Sequence, residues 1–427
     1  MKTRKTVLRL VPFLVFAAGP LLAGAAFDPS IIRYGGNVRD FGAVGDGVTD
    51  DTAAVQKAID AGGVVRFPEG VYLISPIYLK SNGGLDLDTR AVIRFQPDRS
   101  KWKIRAGSDK PNGFANVHLV NVIGQTNVFI RGGAIDGNFR RFYKRVYLYA
   151  CSGRRFMTPA KKKGDPAQLV WFHETSDIHL QDVRIFDAPF WALWLHGCEN
   201  VVLRDLVVEG SDEICNTDGI DIDCCCHVRM TRCKVRAGDD ALAVRGAIGG
   251  LSRPMPCEDI VVEDCDLASH YAHALRVGVG SGEIRNCRFS KIRMEDTRGG
   301  IWVCSKFKGG SGAAIYDIVF DDILMDAVCG IYVRHDYYLV KKTEPFRGVL
   351  RDIRFSNVRG TSMLQNSVVG NGVAEMRNIA FTNCNVKVAT PRGLPPGDRE
   401  FFSLGPEIKG QWYVRNADVI GLSPRAD

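Results

Sequence analysis

The stretch from Asn216 to Asp240, NTDGIDIDCCCHVRMTRCKVRAGDD, places five aspartates and four cysteines in 25 residues, interleaved with small apolar positions. Carboxylates this dense suit two kinds of chemistry: paired general acid and base work, or oxygen ligation of a hard cation such as Ca²⁺. Ile220 and Ile222 alternate with Asp221 and Asp223, which reads as a strand with one apolar and one polar face. If Ile220 and Ile222 stack above Leu242 and Val244, 22 residues on, Asp218 falls on Asp240. A further 33 residues reach Leu275 and Val277, and His273 joins the column. Residues far apart in sequence then become neighbours about 4.8 Å apart, the spacing between strands. Two charges roughly 5 Å apart at an effective dielectric near 20 cost about 3 kcal/mol, or about two pKa units. Such a cluster keeps a neutral acid beside ionised neighbours.

Stacking of this kind requires a repeat, and one recurs along the chain. A polar residue followed by an alternating triplet appears as NVFI at Asn127, DIHL at Asp177, NVVL at Asn200, HVRM at His227, DIVV at Asp259, DIVF at Asp317, DIRF at Asp352 and NIAF at Asn378, with a weaker copy, EIRN, at Glu283. From Ile178 the steps are 23, 27, 32, 24, 34, 35 and 26 residues. Short strand-like runs with almost no helical periodicity predict an all-β fold, a parallel β-helix (solenoid), with Asp and Asn at its bends. VTDDTAAVQKAID predicts a short N-terminal capping helix around 49–60, with Thr49 or Asp50 as its N-cap. Asp50-Asp51 is therefore assigned to the helix start, and GDG at Gly45 to a turn.

The same register predicts two further outward columns: Trp194, Asp221, Ala243, Arg276, Trp302, Tyr332, and His196, Asp223, Arg245, Gly278, Cys304, Arg334. Aromatic rings, carboxylates and arginines along a groove suit a carbohydrate, which offers apolar faces and hydroxyls.

The first residues hold Lys2, Arg4, Lys5 and Arg9 before an apolar run broken by Pro and Gly, then Ala23-Gly24-Ala25, which reads as a signal peptide over 1–25. Its removal lowers the formal charge from +8 to +4. Residues 26–427 are then expected to be one catalytic β-helix domain, exported to the periplasm or medium, with no stable membrane insertion, no nucleic-acid partner and a monomeric state. The basic insertion around 140–163 could line the groove or be a solvated loop. Thirteen cysteines with no metal-type pairing predict mostly buried free thiols and one or two bridges, and no metal or cofactor is expected.

NTDGIDI, GDDALAV and AHALRVG resemble, in order and spacing, the Asn-Thr-Asp, Gly-Asp-Asp and Gly-His-Gly blocks of family 28 glycoside hydrolases, the polygalacturonases and their relatives. VRDFGAVGDGVTDDTAAVQKAID, PEGVYLISPIYLKSN and GGAIDGN are similar to that family's N-terminal signatures. The resemblance implies a right-handed parallel β-helix and inverting hydrolysis of α-glycosidic bonds in pectic chains. Asp239 would be the general acid, Asp218 and Asp240 would activate water, and His273 would support the acid or touch substrate. Asn216, Asp221, Arg245, Arg276, Trp194, Trp302 and Tyr332 are the candidate substrate-binding residues. An inverting pair normally stands about 6.5–9.5 Å apart. Where polygalacturonases carry Arg-Ile-Lys to grip a uronate, this chain reads GIWVCS, with Trp302 and Cys304 at the charged positions. Trp302 is expected to stack on a sugar, and Arg276 or Arg245 to hold an anion from a neighbouring coil. Two other readings of the aspartates are a metal-dependent polysaccharide lyase on the same fold and a non-catalytic glycan-binding solenoid.

Overall fold

The computed structural model describes residues 33–102, 118–148, 155–159, 168–214, 216–306, 312–336, 348–389, 412–415 and 417–422. The expected signal peptide lies outside these residues, as do Cys151, Cys215 and the stretches 149–154 and 160–163 of the basic insertion.

Asp and Asn make the coils turn. Each triplet's leading polar residue sits in the left-handed region, with φ of 55° at Asn127, 54° at Asp177, 56° at Asn200, 58° at His227, 53° at Asp259 and 55° at Asp317. A second bend uses Asp182, Asp205, Asp264, Asp322, Asn357 and Asn383 in the same way. These short polar side chains tolerate that conformation best among non-glycine residues. They also bond along the stack: Asn200 Nδ2 donates to Asp177 Oδ1 at 3.0 Å, and Asn127 Nδ2 to Asn82 Oδ1 at 2.9 Å.

Between bends the strands pair in parallel with the equivalent strands of the next coil, and 30 strands among the described residues form one continuous sheet wound into a right-handed parallel β-helix. Alternate residues enter a single core that runs the length of the coil, Leu193, Ile220, Leu242, Leu275, Ile301 and Ile331 among them. Inside it Phe289, Phe320, Phe355 and Phe381 stack with centroids 5.1, 4.7 and 4.7 Å apart. Each such pair adds about 0.5–1.5 kcal/mol beyond burial.

The structure revises four details of the expected register and ends. The weak copy at Glu283 is displaced: Cys287 pairs with both Ile260 and Ile318, and Asn286 takes the left-handed bend. The repeat unit there is NCRF, and its steps are 27 and 31 residues. Arg245 is not stacked on Gly278, because the chain between Val277 and Gly280 carries one residue more than the chain between Val244 and Gly246, with Val279 at φ 77°. The capping helix runs Thr52–Asp60, later than expected, since Thr49 and Asp50 belong to a strand pairing with Gly70–Ile74. Asp51 occupies the N-cap position without capping. Its carboxylate accepts instead from the Val44 and Gly45 amides at 2.7 and 3.0 Å, while Asp50 Oδ1 accepts from Thr52 N at 3.1 Å. Val55, Ala58 and Ile59 bury the helix against the first coil.

The fourth revision concerns cysteine. No disulfide joins two described cysteines, all of which but Cys384 are buried, so the expected bridges are not found among the described residues. From the basic segment, Tyr143–Leu148 and Arg155–Pro159 form an antiparallel hairpin of their own, and Arg140 pairs with Glu213.

The bend chemistry gives a stability test at Asp317, whose side chain is exposed. Asp317→Val should cost about 1–2 kcal/mol, because a β-branched residue fits the left-handed region poorly, and Asp317→Gly should cost far less. Urea denaturation of the two variants measures the difference.

Candidate active site

Two local constraints place the carboxylates. Asn216 takes φ 56° and turns the chain so that Thr217 and Asp218 enter the strand Ile220–Asp223. Gly238 admits no side chain: a Cβ there would lie 2.1 Å from Thr217 Oγ1 and 2.4 Å from Ser211 O. That close approach seats Asp239 and Asp240 beside the turn, with Asn216 N donating to Asp239 Oδ2 at 3.2 Å.

The expected column forms. Ile220 pairs with Leu242 and Leu242 with Leu275, so Asp218, Asp240 and His273 follow one another on successive coils. Asp218, Asp239 and Asp240 each offer a carboxylate oxygen within 4.8 Å of the others. This is tighter than the separation of about 6.5–9.5 Å typical of an inverting pair.

Their electrostatics differ sharply. Burial works to raise the Asp240 carboxyl, but Arg276 and His273 outweigh it and hold the group far below the usual carboxylate range. The contacts are Arg276 Nη1 to Asp240 Oδ2 at 2.9 Å and His273 Nδ1 to Asp240 Oδ1 at 2.7 Å. An ionised carboxylate can only accept, so His273 donates through Nδ1 and its buried Nε2 is a bare acceptor. Asp239 is pushed up to about 6 by burial and by the charge of Asp240. Asp218 is raised well above its ordinary range by burial, then by Asp221, Asp239 and Asp240. One carboxylate is thus locked as an anion, and its two neighbours compete for protons.

The outward columns also form: Trp194 pairs with Asp221, Arg276 with Trp302, and Trp302 with Tyr332. Two of their expected roles change. Arg276 is spent on Asp240, and Arg245 on Asp221 (Nη1 to Oδ1, 3.0 Å) and Asp223 (Nε to Oδ2, 3.7 Å), so neither stands ready as a substitute uronate clamp. Burial raises Asp221 to about 7 with Arg245 opposing the shift. Trp302 lies parallel to Tyr332 of the next coil, centroids 5.1 Å apart at 6°, and against His273 of the preceding coil at 4.4 Å. Tyr332 stacks on one side of the indole and His273 packs at a tilt of 47° from the preceding coil, so protein rings stand where a stacked sugar was expected.

The family model for glycosyl hydrolases family 28 matches residues 79–393. The chain belongs to this family. As a family 28 member it is a glycoside hydrolase, which sets aside the lyase and the purely binding readings, and its substrate is a polysaccharide. It is 24% identical over 423 residues to a polygalacturonase of Gossypium hirsutum (94% of this chain, 93% of the relative). It is 25% identical over 361 residues to a probable polygalacturonase of Vitis vinifera (78% and 71%). Among solved structures it resembles an exopolygalacturonase from Thermotoga maritima (TM-score 0.66, 21% identity, 91% of this chain and 92% of that one). It also resembles an endo-xylogalacturonan hydrolase from Aspergillus tubingensis (0.62, 20%, 90% and 96%). Among the described residues no helix is long and apolar enough to cross a membrane.

The sequence reading missed His118, Gln168, Trp171 and His173, which the register adds to the same outward face. The signal was present, but the basic insertion doubles the interval between Val128 and Ile178 and hides the pairing of these two coils.

The Asp240 clamp makes a prediction for stability. A carboxyl depressed in the folded state contributes stability above its unfolded value near 3.9, and loses it as pH falls through the folded value. Arg276→Gln should therefore cost about 3 kcal/mol or more at pH 7, and the gap to the parent should shrink toward pH 3. Urea midpoints at both pH values check this; an equal gap at both would mean that Arg276 acts through packing alone.

Proposed function

We propose that this glycoside hydrolase cleaves α-glycosidic bonds of a pectic polysaccharide with inversion, Asp239 acting as general acid and Asp218 with Asp240 directing water. The observation that carries this reading is the contrast inside one cluster: Asp240 locked as an anion by Arg276 and His273, beside an Asp239 whose carboxyl is raised to about 6. Asp240 has both oxygens engaged and a depressed basicity, which suits it to orienting water and makes it a poor nucleophile toward carbon. Asp218, raised and adjacent, is the stronger base and takes the water's proton. The working form holds its proton on Asp239 and none on Asp218. Because the two compete, the pair titrates as a unit.

Specificity follows from the missing clamp. Trp302 and Cys304 stand at the positions where a uronate would meet Arg and Lys, and both are buried and uncharged. Charge-assisted bonds to a carboxylate contribute about 1.5–3 kcal/mol each, so their loss disfavours a uronate at that position. The sugar there is uncharged, and the substrate is a mixed pectic chain with neutral residues, not plain galacturonan. We further propose that residues 26–427 act as one exported β-helix domain, monomeric and without metal or cofactor, with Asn216 beside the acid reaching the bound chain.

Two measurements test this. Reducing-end release from a panel of pectic polysaccharides should be strong for rhamnose-containing pectin and weak for polygalacturonic acid, and Asp239→Asn should lower it by about 10²–10⁴-fold in a folded protein; near-normal turnover by that variant removes Asp239 from the acid role. The profile of kcat/KM against pH should be bell-shaped, because the active form carries one proton on the Asp239–Asp218 pair: the rate falls on the acid side as both carboxyls are protonated and on the alkaline side as both lose their protons. A rate that stays flat from pH 5 to 8 contradicts the assignment.

A further inference from the structure

The coils that precede the carboxylates carry polar side chains that this chemistry does not use. Gln168 pairs with His118, and the register continues that column through Trp191 into Asp218 and Asp240. In the adjoining column Trp171 pairs with Trp194, and Trp194 with Asp221. Along the axis the rings face one another: Trp171 and Trp194 stack at 5.7 Å and 24°, and His118 lies 4.3 Å from Trp171. Stacking from coil to coil uses up the ring faces and leaves the edges, which carry the nitrogens.

Those edges lack protein partners. Both ring nitrogens of His118, both amide atoms of Gln168, and the indole N–H groups of Trp171 and Trp194 are buried with no hydrogen-bond partner. Their side chains are 0, 0, 1 and 1% exposed. Buried polar atoms are almost always paired, because an unpaired one forfeits its hydration for nothing. Six of them on neighbouring coils, in line with the catalytic carboxylates, form a row of donors and acceptors suited to a partner rich in hydroxyls.

We propose that His118, Gln168, Trp171 and Trp194 form a binding site for uncharged sugar units of the substrate, read through ring-edge hydrogen bonds in place of stacking. This rests on the reading of the carboxylates as a hydrolytic centre and extends its specificity to the coils before it. The site is tuned to neutral sugars by its own lack of charge. Burial pushes His118 down to about 3, and burial together with His196 brings His173 to about 4, so neither is cationic at working pH. Arg245 is held by Asp221 and Asp223. A uronate is held most strongly by charged donors, and these four side chains offer none. The three rungs from His118 to Trp194 span about 10 Å, the length of roughly two sugar units.

The test uses full-length Asp239→Asn protein, in which binding can be followed without turnover. Isothermal titration with oligosaccharides from rhamnose-containing pectin is compared for this parent and for added His118→Phe or Trp171→Phe, which keep a ring and remove its nitrogens. Each should weaken binding by about fivefold or more, a shift of roughly 1 kcal/mol. The melting temperature should hold or rise, since an unpaired buried group has been removed. The same changes in the active enzyme should raise KM for that substrate. Folded variants with parental affinity and parental KM would overturn the proposal, as would equally tight, equally sensitive binding of oligogalacturonate. A parent that binds but an enzyme that never cleaves would sink the hydrolytic reading while leaving this site standing.

Discussion

Parallel pairing between successive coils is the constraint on which the rest depends. It sets residue against residue at about 4.8 Å, so a side chain's chemistry is decided by what stands 20 to 35 positions away. Asp218 has little meaning until Leu242 pairs with Ile220 and brings Asp240 beneath it. The left-handed Asp and Asn bends hold that register. They fix where each strand begins, and a one-residue slip would turn every inward side chain outward.

The register then creates an electrostatic contrast that no single coil could. Asp240 receives Arg276 and His273 from the following coil, which makes it the permanent anion. That anion and burial together keep Asp239 protonated into the mildly acid range. Arginine at 276 thus serves the carboxylate, and the groove gives up a cation that could have met a charged sugar. Arg245 makes the same commitment to Asp221 and Asp223. The outcome is a carboxylate cluster whose neighbouring arginines face inward on its own aspartates, with aromatic and amide edges along the coils before it.

Much of this was legible in the sequence. The alternation of Ile220 and Ile222 with aspartates, and the repeated polar-led triplets, sufficed for the fold, for the column Asp218, Asp240 and His273, and for the ladder from Trp194 to Tyr332. Boundaries were harder. Cys287 replaces the usual branched residue of a triplet, so NCRF is disguised and the neighbouring EIRN reads as the repeat. The extra residue at Val279 follows from backbone geometry that composition does not encode. Register also says which residues are neighbours without saying what they do to one another. Trp302 looked like a stacking platform until Tyr332 and His273 were found against its faces, and the two arginines looked free until their carboxylate partners were placed.

The central proposal is that Asp240, with both oxygens engaged, orients water and does not itself attack carbon. The anomeric configuration of the first-formed product tests this most directly, read by proton NMR within the first minutes of hydrolysis, before mutarotation. The account predicts a product inverted relative to the bond cleaved. A retained configuration would show that a carboxylate is the nucleophile, and would contradict it.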